Sequence, residues 1–117
     1  MTIFALAIFT AGCSTTSTTD DALTGSCLIS APQPSCIEYA NASSDELELD
    51  AEPNCISGTW RFEACIRASV IGGCTSHVTG PHGGFELTTW YYAGGAVTTT
   101  ADVMARCNSS GQTFVAP

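Results

Sequence analysis

Phe85-Glu86-Leu87-Thr88-Thr89-Trp90-Tyr91-Tyr92 gathers aromatic and β-branched residues more densely than any other stretch of the chain. Such side chains suit a pleated, half-buried surface, so the run predicts a strand. Along a strand Trp90 and Tyr92 take one face and Tyr91 the other. Before the run stands Gly80-Pro81-His82-Gly83-Gly84, a strong turn signal. Before that, Ala68 to His77 reads as a second strand, with Gly72-Gly73 marking a bulge or a close backbone approach. Ala93-Gly94-Gly95 ends the aromatic run. The centre of the chain is therefore a β-hairpin.

Working outward, Thr113-Phe114-Val115 reads as a short last strand. A helix over Ala101 to Cys107 precedes it, capped by Thr100, with Asp102 in its first turn and Gly111 as its stop. Upstream of the hairpin, Thr59 to Cys65 reads as a strand, and Cys36 to Ala40 as a shorter one. Between them Ser43 and Glu46 have capping-box spacing. Leu47, Ala51 and Cys55 then form one apolar stripe, which Pro53 must kink or split into two short helices before Gly58 caps it. Cys55-Ile56-Ser57-Gly58-Thr59-Trp60 echoes Cys107 to Phe114 as a weak internal repeat: a helix ending in Cys, a Gly stop, an aromatic strand. The expectation is an α+β fold, an antiparallel sheet of four to five strands with two short helices on one face, stapled by disulfides.

Seven cysteines in 117 residues point to an oxidising compartment. Neighbouring cysteines are at least nine residues apart, which does not suit the close pairs of structural zinc sites. Cys27, Cys36, Cys55, Cys65, Cys74 and Cys107 are expected to form three bridges, and six cysteines allow 15 pairings. The expected helix–strand turn suggests Cys55 with Cys65, and closure of the C-terminal hairpin and helix suggests Cys74 with Cys107, which leaves Cys27 with Cys36. Net charge is −8, with Arg61, Arg67 and Arg106 the only Lys or Arg. That balance argues against nucleic-acid binding and against electrostatic attachment to anionic lipid.

At the N-terminus, Ile3 to Phe9 is an uncharged apolar run too short to cross a bilayer. Small residues follow, then a cysteine: Ala11-Gly12-Cys13. This end resembles the lipobox of bacterial lipoproteins, although Thr10 stands where that family prefers Leu and Met1-Thr2 brings no basic residue. A start further upstream would supply one. The resemblance implies removal of residues 1–12, acylation of Cys13, and outer-membrane sorting through Ser14. Cysteine parity agrees, since removing Cys13 leaves six. Residues 13–26 are Ser/Thr-rich and are expected to be a flexible tether, with residues 27–117 as the folded domain.

Few residues invite chemistry. His77 and His82 flank the turn without an evident carboxylate partner and read as exposed loop residues. Asp45, Glu46, Glu48, Asp50 and Glu52 lack the central Gly of a calcium loop and read as a solvated helix face. No serine-nucleophile or phosphate-cradling motif occurs. Trp90 and Tyr92 form a candidate binding face for a sugar ring or a peptide. The sequence therefore points to a lipid-anchored envelope protein with a structural or binding role. No cofactor, metal or catalytic activity is expected, and its partners would be the membrane and an envelope protein or glycan. Two other classes compete. One is an effector or protein inhibitor presenting the 78–84 loop. The other is a small hydrolase, which would need a cleft with a carboxylate or His of shifted pKa.

Overall fold

The computed structural model describes residues 23–117. The expected signal segment, Cys13 and most of the tether lie outside the described residues. The chain forms β1 (Leu23–Ile29), β2 (Ser35–Ala42), a wide helical turn α1 (Glu46–Ala51), β3 (Thr59–Arg61), β4 (Val70–Gly80), β5 (Gly83–Tyr92), α2 (Thr100–Ser110) and β6 (Thr113–Val115). The strands make one antiparallel sheet in the order β3-β1-β2-β5-β4-β6. The α+β class stands, with six strands rather than four or five.

The added strand is β1. It begins at Leu23, inside the stretch expected to be a tether, and pairs with both β2 and β3. Strand β3 is shorter than expected, because the chain leaves the sheet after Arg61. The helical stripe is split as Pro53 demands: α1 ends at Ala51 and a separate 3-10 turn covers Glu52–Asn54. Gly58 is not a helix cap. A Cβ there would sit 2.6 Å from the Leu28 carbonyl oxygen and 2.7 Å from Cys27 Sγ, so its role is close approach to β1.

Phe85, Leu87 and Tyr91 share a face of β5. Phe85 and Leu87 pack with Leu47 and Ala51 of α1, and Tyr91 packs with Val103 and Cys107 of α2. Both helices therefore lie on one face. The segment 62–69 crosses the other face from β3, at one edge, to β4.

The disulfides are Cys27–Cys55, Cys36–Cys65 and Cys74–Cys107. Only the last was expected. Cys27 and Cys36 sit on neighbouring strands, but Cys27 opposes Ile37 and Cys36 opposes Leu28, so their side chains point to opposite faces. Cys55 and Cys65 are likewise divided: Cys55 is joined to the helix face through Cys27, whereas Cys65 lies in the crossing segment and is joined to the other face through Cys36. Each bridge closes a span of 28, 29 or 33 residues. On the chain-entropy model such spans stabilise by roughly 3.6 kcal/mol apiece.

The weak repeat in the sequence extends to the whole domain. β1-β2-α1-β3 and β4-β5-α2-β6 are the same arrangement: a hairpin, a helix, then a short strand returning to the outer edge of the first. One row across the sheet reads Trp60, Cys27, Ile37, then Thr89, Cys74, Phe114. Cys27 and Cys74 each bridge to the end of their helical segment. Gly25 and Gly72 each follow a register shift and oppose Tyr39 and Tyr91. Over Gly25 lie Trp60 and Leu47, and over Gly72 lie Phe114 and Val103. Each helical segment opens on a capping box, Ser43 with Glu46 and Thr99 with Asp102. Thr99, not Thr100, is the cap of α2. The sheet is thus two copies of one unit, joined where β2 meets β5.

Candidate functional site

Trp90 and Tyr92 do not form a free binding face. Trp90 is 4% exposed and lies across Gly73, where a Cβ would meet its ring at 2.7 Å. The Arg67 guanidinium roofs it, 4.0 Å from the ring centroid. Arg67 donates to both carboxylate oxygens of buried Glu38, at 3.2 and 3.4 Å, and the Cys65 amide donates to Glu38 Oε1 at 3.0 Å. The Tyr92 hydroxyl donates to the Ile66 carbonyl at 2.6 Å. Burial pushes that hydroxyl's pKa up, against the lowering pull of Arg67. Together with Cys36–Cys65, these groups hold segment 62–69 to the sheet. Their work is architectural, and the need for a roof over Trp90 arises because the chain must cross this face to begin its second half.

Aromatic surface emerges instead at the β3 edge. Phe62, Trp60, Tyr39 and Phe85 form a continuous ladder, with ring centroids 5.5, 5.8 and 5.5 Å apart in turn. The Trp60 ring reaches Tyr39 only because Gly25 leaves β1 bare between them. Phe62 ends the ladder and is largely exposed.

Both histidines have carboxylate partners, contrary to the sequence reading. His77 lies in β4 opposite Glu86, with Nδ1 2.8 Å from Oε2. His82, in the hairpin turn, meets Asp50 of α1 at 3.1 Å. The acidic run is also not wholly solvated. Glu46 is 2% exposed; its Oε1 accepts from the Ser43 amide, while Oε2 has no hydrogen-bond partner and faces Gly83 in the hairpin. Asp45, Glu48, Asp50 and Glu52 surround it in sequence. The arginines lie elsewhere: Arg61 pairs with Glu63, Arg67 with Glu38, and Arg106 stacks over Tyr91. The α1 and hairpin-turn end of the domain is an acidic pole whose only ion-pair partners among the described residues are the two histidines.

Among the described residues no group of three or more His, Cys, Asp or Glu is placed to hold a metal ion. Two shallow cavities flank α2. One, of about 410 Å³, is lined by residues such as Met104, Asn108, Gln112 and Phe114. The other, of about 550 Å³, is lined by Val97, Asp102, Arg106 and Ser109 among others. Asp102 is already committed as the capping carboxylate of α2. It accepts from the Thr98 and Thr99 amides and the Thr98 hydroxyl, which hold its pKa below the usual carboxylate range. Neither cavity brings a nucleophile together with a base.

Compared with protein-family models, curated proteins and solved structures, the chain matches none.

Proposed function

We propose that the protein is a lipid-anchored module of the bacterial cell envelope that works by binding rather than by catalysis. The observation that carries this reading is the cysteine account. Six of the seven cysteines are consumed in three disulfides, so Cys13 is left over. It is the same residue that ends the lipobox-like Ala11-Gly12-Cys13. An unmatched cysteine in an oxidising compartment calls for a role, and acylation supplies one. Among the described residues no helix is long and apolar enough to cross a membrane. The proposed attachment is the lipid on Cys13. A binding role draws support from the site chemistry: the titratable groups described above serve caps, the crossing segment and the hairpin, while the acidic pole and exposed hairpin turn face solvent.

The test is the intact mass of the membrane-extracted protein, before and after reduction and alkylation. A chain beginning at Cys13 with acyl mass added, and six thiols appearing only on reduction, is the expected result. An unprocessed chain, or a Cys13→Ser variant that still partitions with membranes, would overturn the anchor.

A second reading, an effector or inhibitor presenting residues 78–84, is favoured by one feature: Thr79 to Gly83 is exposed at the end of a long hairpin. It predicts a protein partner that binds the turn itself and is lost on replacing Pro81-His82.

A further inference from the structure

Strand β4 runs for 11 residues, but β6 pairs only with Gly73, Cys74 and Thr75. Beyond that point the outer edge of β4 from Ser76 to Gly80 has no strand beside it among the described residues. There the Gln112 side chain donates to the Ser76 hydroxyl at 3.4 Å. Sheet edges of natural proteins are commonly guarded by lysine, proline, a bulge or a covering loop. Here the pairing with β5 is regular to the turn, and Ser76-His77-Val78-Thr79-Gly80 holds no lysine or proline. Alternate residues of such a strand turn their N–H and C=O outward, ready for another strand.

The same end of the molecule is the acidic pole. The hairpin turn is joined to α1 through His82 and Asp50, and Glu86 lies on the neighbouring strand. Glu46 points its unpartnered, buried Oε2 at the hairpin. A second copy of this chain, itself at −8, would bring like charge to this pole. A cationic segment would not.

We propose that the Ser76–Gly80 edge of β4 receives an added strand from an extended, basic peptide segment of a partner. Backbone pairing supplies the register, and the carboxylates around α1 supply the charge preference. This deepens the binding reading above and rests on it.

The probe is a synthetic peptide of alternating lysine and valine, compared with its glutamate counterpart and with a version N-methylated at alternate backbone positions. The protein is the full chain in detergent micelles. The lysine peptide is expected to bind and to slow amide exchange at Ser76–Gly80 by about tenfold or more. Its affinity is expected to fall roughly tenfold as salt rises from about 0.05 to about 0.5 M. The N-methylated and glutamate peptides are expected to bind at least about tenfold more weakly. Thr79→Lys, at an exposed position, guards the edge without touching the core and is expected to abolish the protection.

Equal binding by the N-methylated peptide would overturn the proposal, leaving attraction by charge alone. So would the absence of binding by any peptide. Protection of the same amides by raised protein concentration, without peptide, would assign the edge to a second copy and equally refute it. These outcomes are separate from the mass measurement, which reads Cys13 and the disulfides whatever the peptide does.

Discussion

Replacing Gly25 by alanine tests the packing on which the repeated unit depends. The new methyl carbon would lie 2.6 Å from two carbons of the Trp60 ring and 3.3 Å from a Leu47 methyl. Carbon pairs settle at about 3.5–4.0 Å, so the indole must retreat by roughly 1 Å. Its room is limited, because Tyr39 and Phe62 stand at centroid distances of 5.8 and 5.5 Å. Overpacking of this kind costs about 1–3 kcal/mol, and about 2 kcal/mol is expected here. In a domain of this size that lowers Tm by roughly 10 °C. Gly25 is not among the glycines with positive φ, so the cost is steric and a smaller neighbour should relieve it. Trp60→Leu alone loses buried surface. Combined with Gly25→Ala it should cost about 1–2 kcal/mol less than the two single changes summed. The assay is urea unfolding of all four proteins with disulfides intact, followed by circular dichroism. A Gly25→Ala protein within about 0.5 kcal/mol of the parent, or an additive cycle, would refute the reasoning. Gly72 provides the contrast: its φ of +147° strains alanine whatever the space, so Phe114→Leu should rescue Gly72→Ala only in part.

Three further outcomes follow from the same geometry. Removing Cys27–Cys55 or Cys74–Cys107 by paired alanine substitutions should cost similar amounts, about 3–4 kcal/mol each, because the spans of 28 and 33 residues are alike; unfolding midpoints check this. Glu38→Gln leaves the Cys65 amide and Arg67 poorly matched and should cost about 1–3 kcal/mol, with faster amide exchange at Cys65 and little change on α2. Asp102 has its pKa lowered in the fold by the amides and hydroxyls of Thr98 and Thr99, so its contribution is present above the unfolded carboxylate pKa and is lost as pH falls through the folded one. Asp102→Asn should therefore destabilise α2 at pH 7 and matter progressively less in acid, as read from urea midpoints across the acid range.

The sequence made some of this legible and hid the rest for physical reasons. The β4–β5 hairpin, its turn and β6 were readable because β-branched residues, aromatics and Gly-Pro punctuation all agree there. The His77–Glu86 pair was within reach too: a two-residue turn at Pro81-His82 fixes the register that sets them opposite each other. Strand β1 was not, because Leu23-Thr24-Gly25-Ser26 offers little apolar surface of its own. Its buried position at Gly25 is filled by a ring from Trp60, a distant residue. The disulfide pairing needed the face of each cysteine, which proximity in the chain does not reveal. Trp90 read as a binding residue because its roof comes from Arg67 and its anchor from Glu38, 29 residues apart. Glu46 read as solvated because only the tertiary position of the hairpin buries it.

The differences between the two halves say more about function than their likeness. Strands β1 and β2 have 7 and 8 residues, whereas β4 and β5 have 11 and 10. The additional length carries Val78 and Phe85 onto α1, where they join Leu47 and Ala51. The first hairpin is too short to do the same for α2. There the leader to α2 does the work: Gly94 and Val97 exchange backbone hydrogen bonds at 3.0 and 3.1 Å, and Gln33 accepts from the Val97 amide at 3.0 Å. Val97, 2% exposed, then fills the space beside Tyr91 and Val103. Each helix is covered, but by different means, and only one of the two leaves a by-product. The returning strand of each half covers three residues of its neighbour, so lengthening β4 without lengthening β6 must uncover backbone. That bare backbone lies at the pole where the unmatched carboxylates gather. If the long hairpin existed only to bury α1, a cover like that of Gly94 to Val97 would have sufficed without exposing an edge. The placement of the edge is what makes strand addition the sharper question to put to this domain.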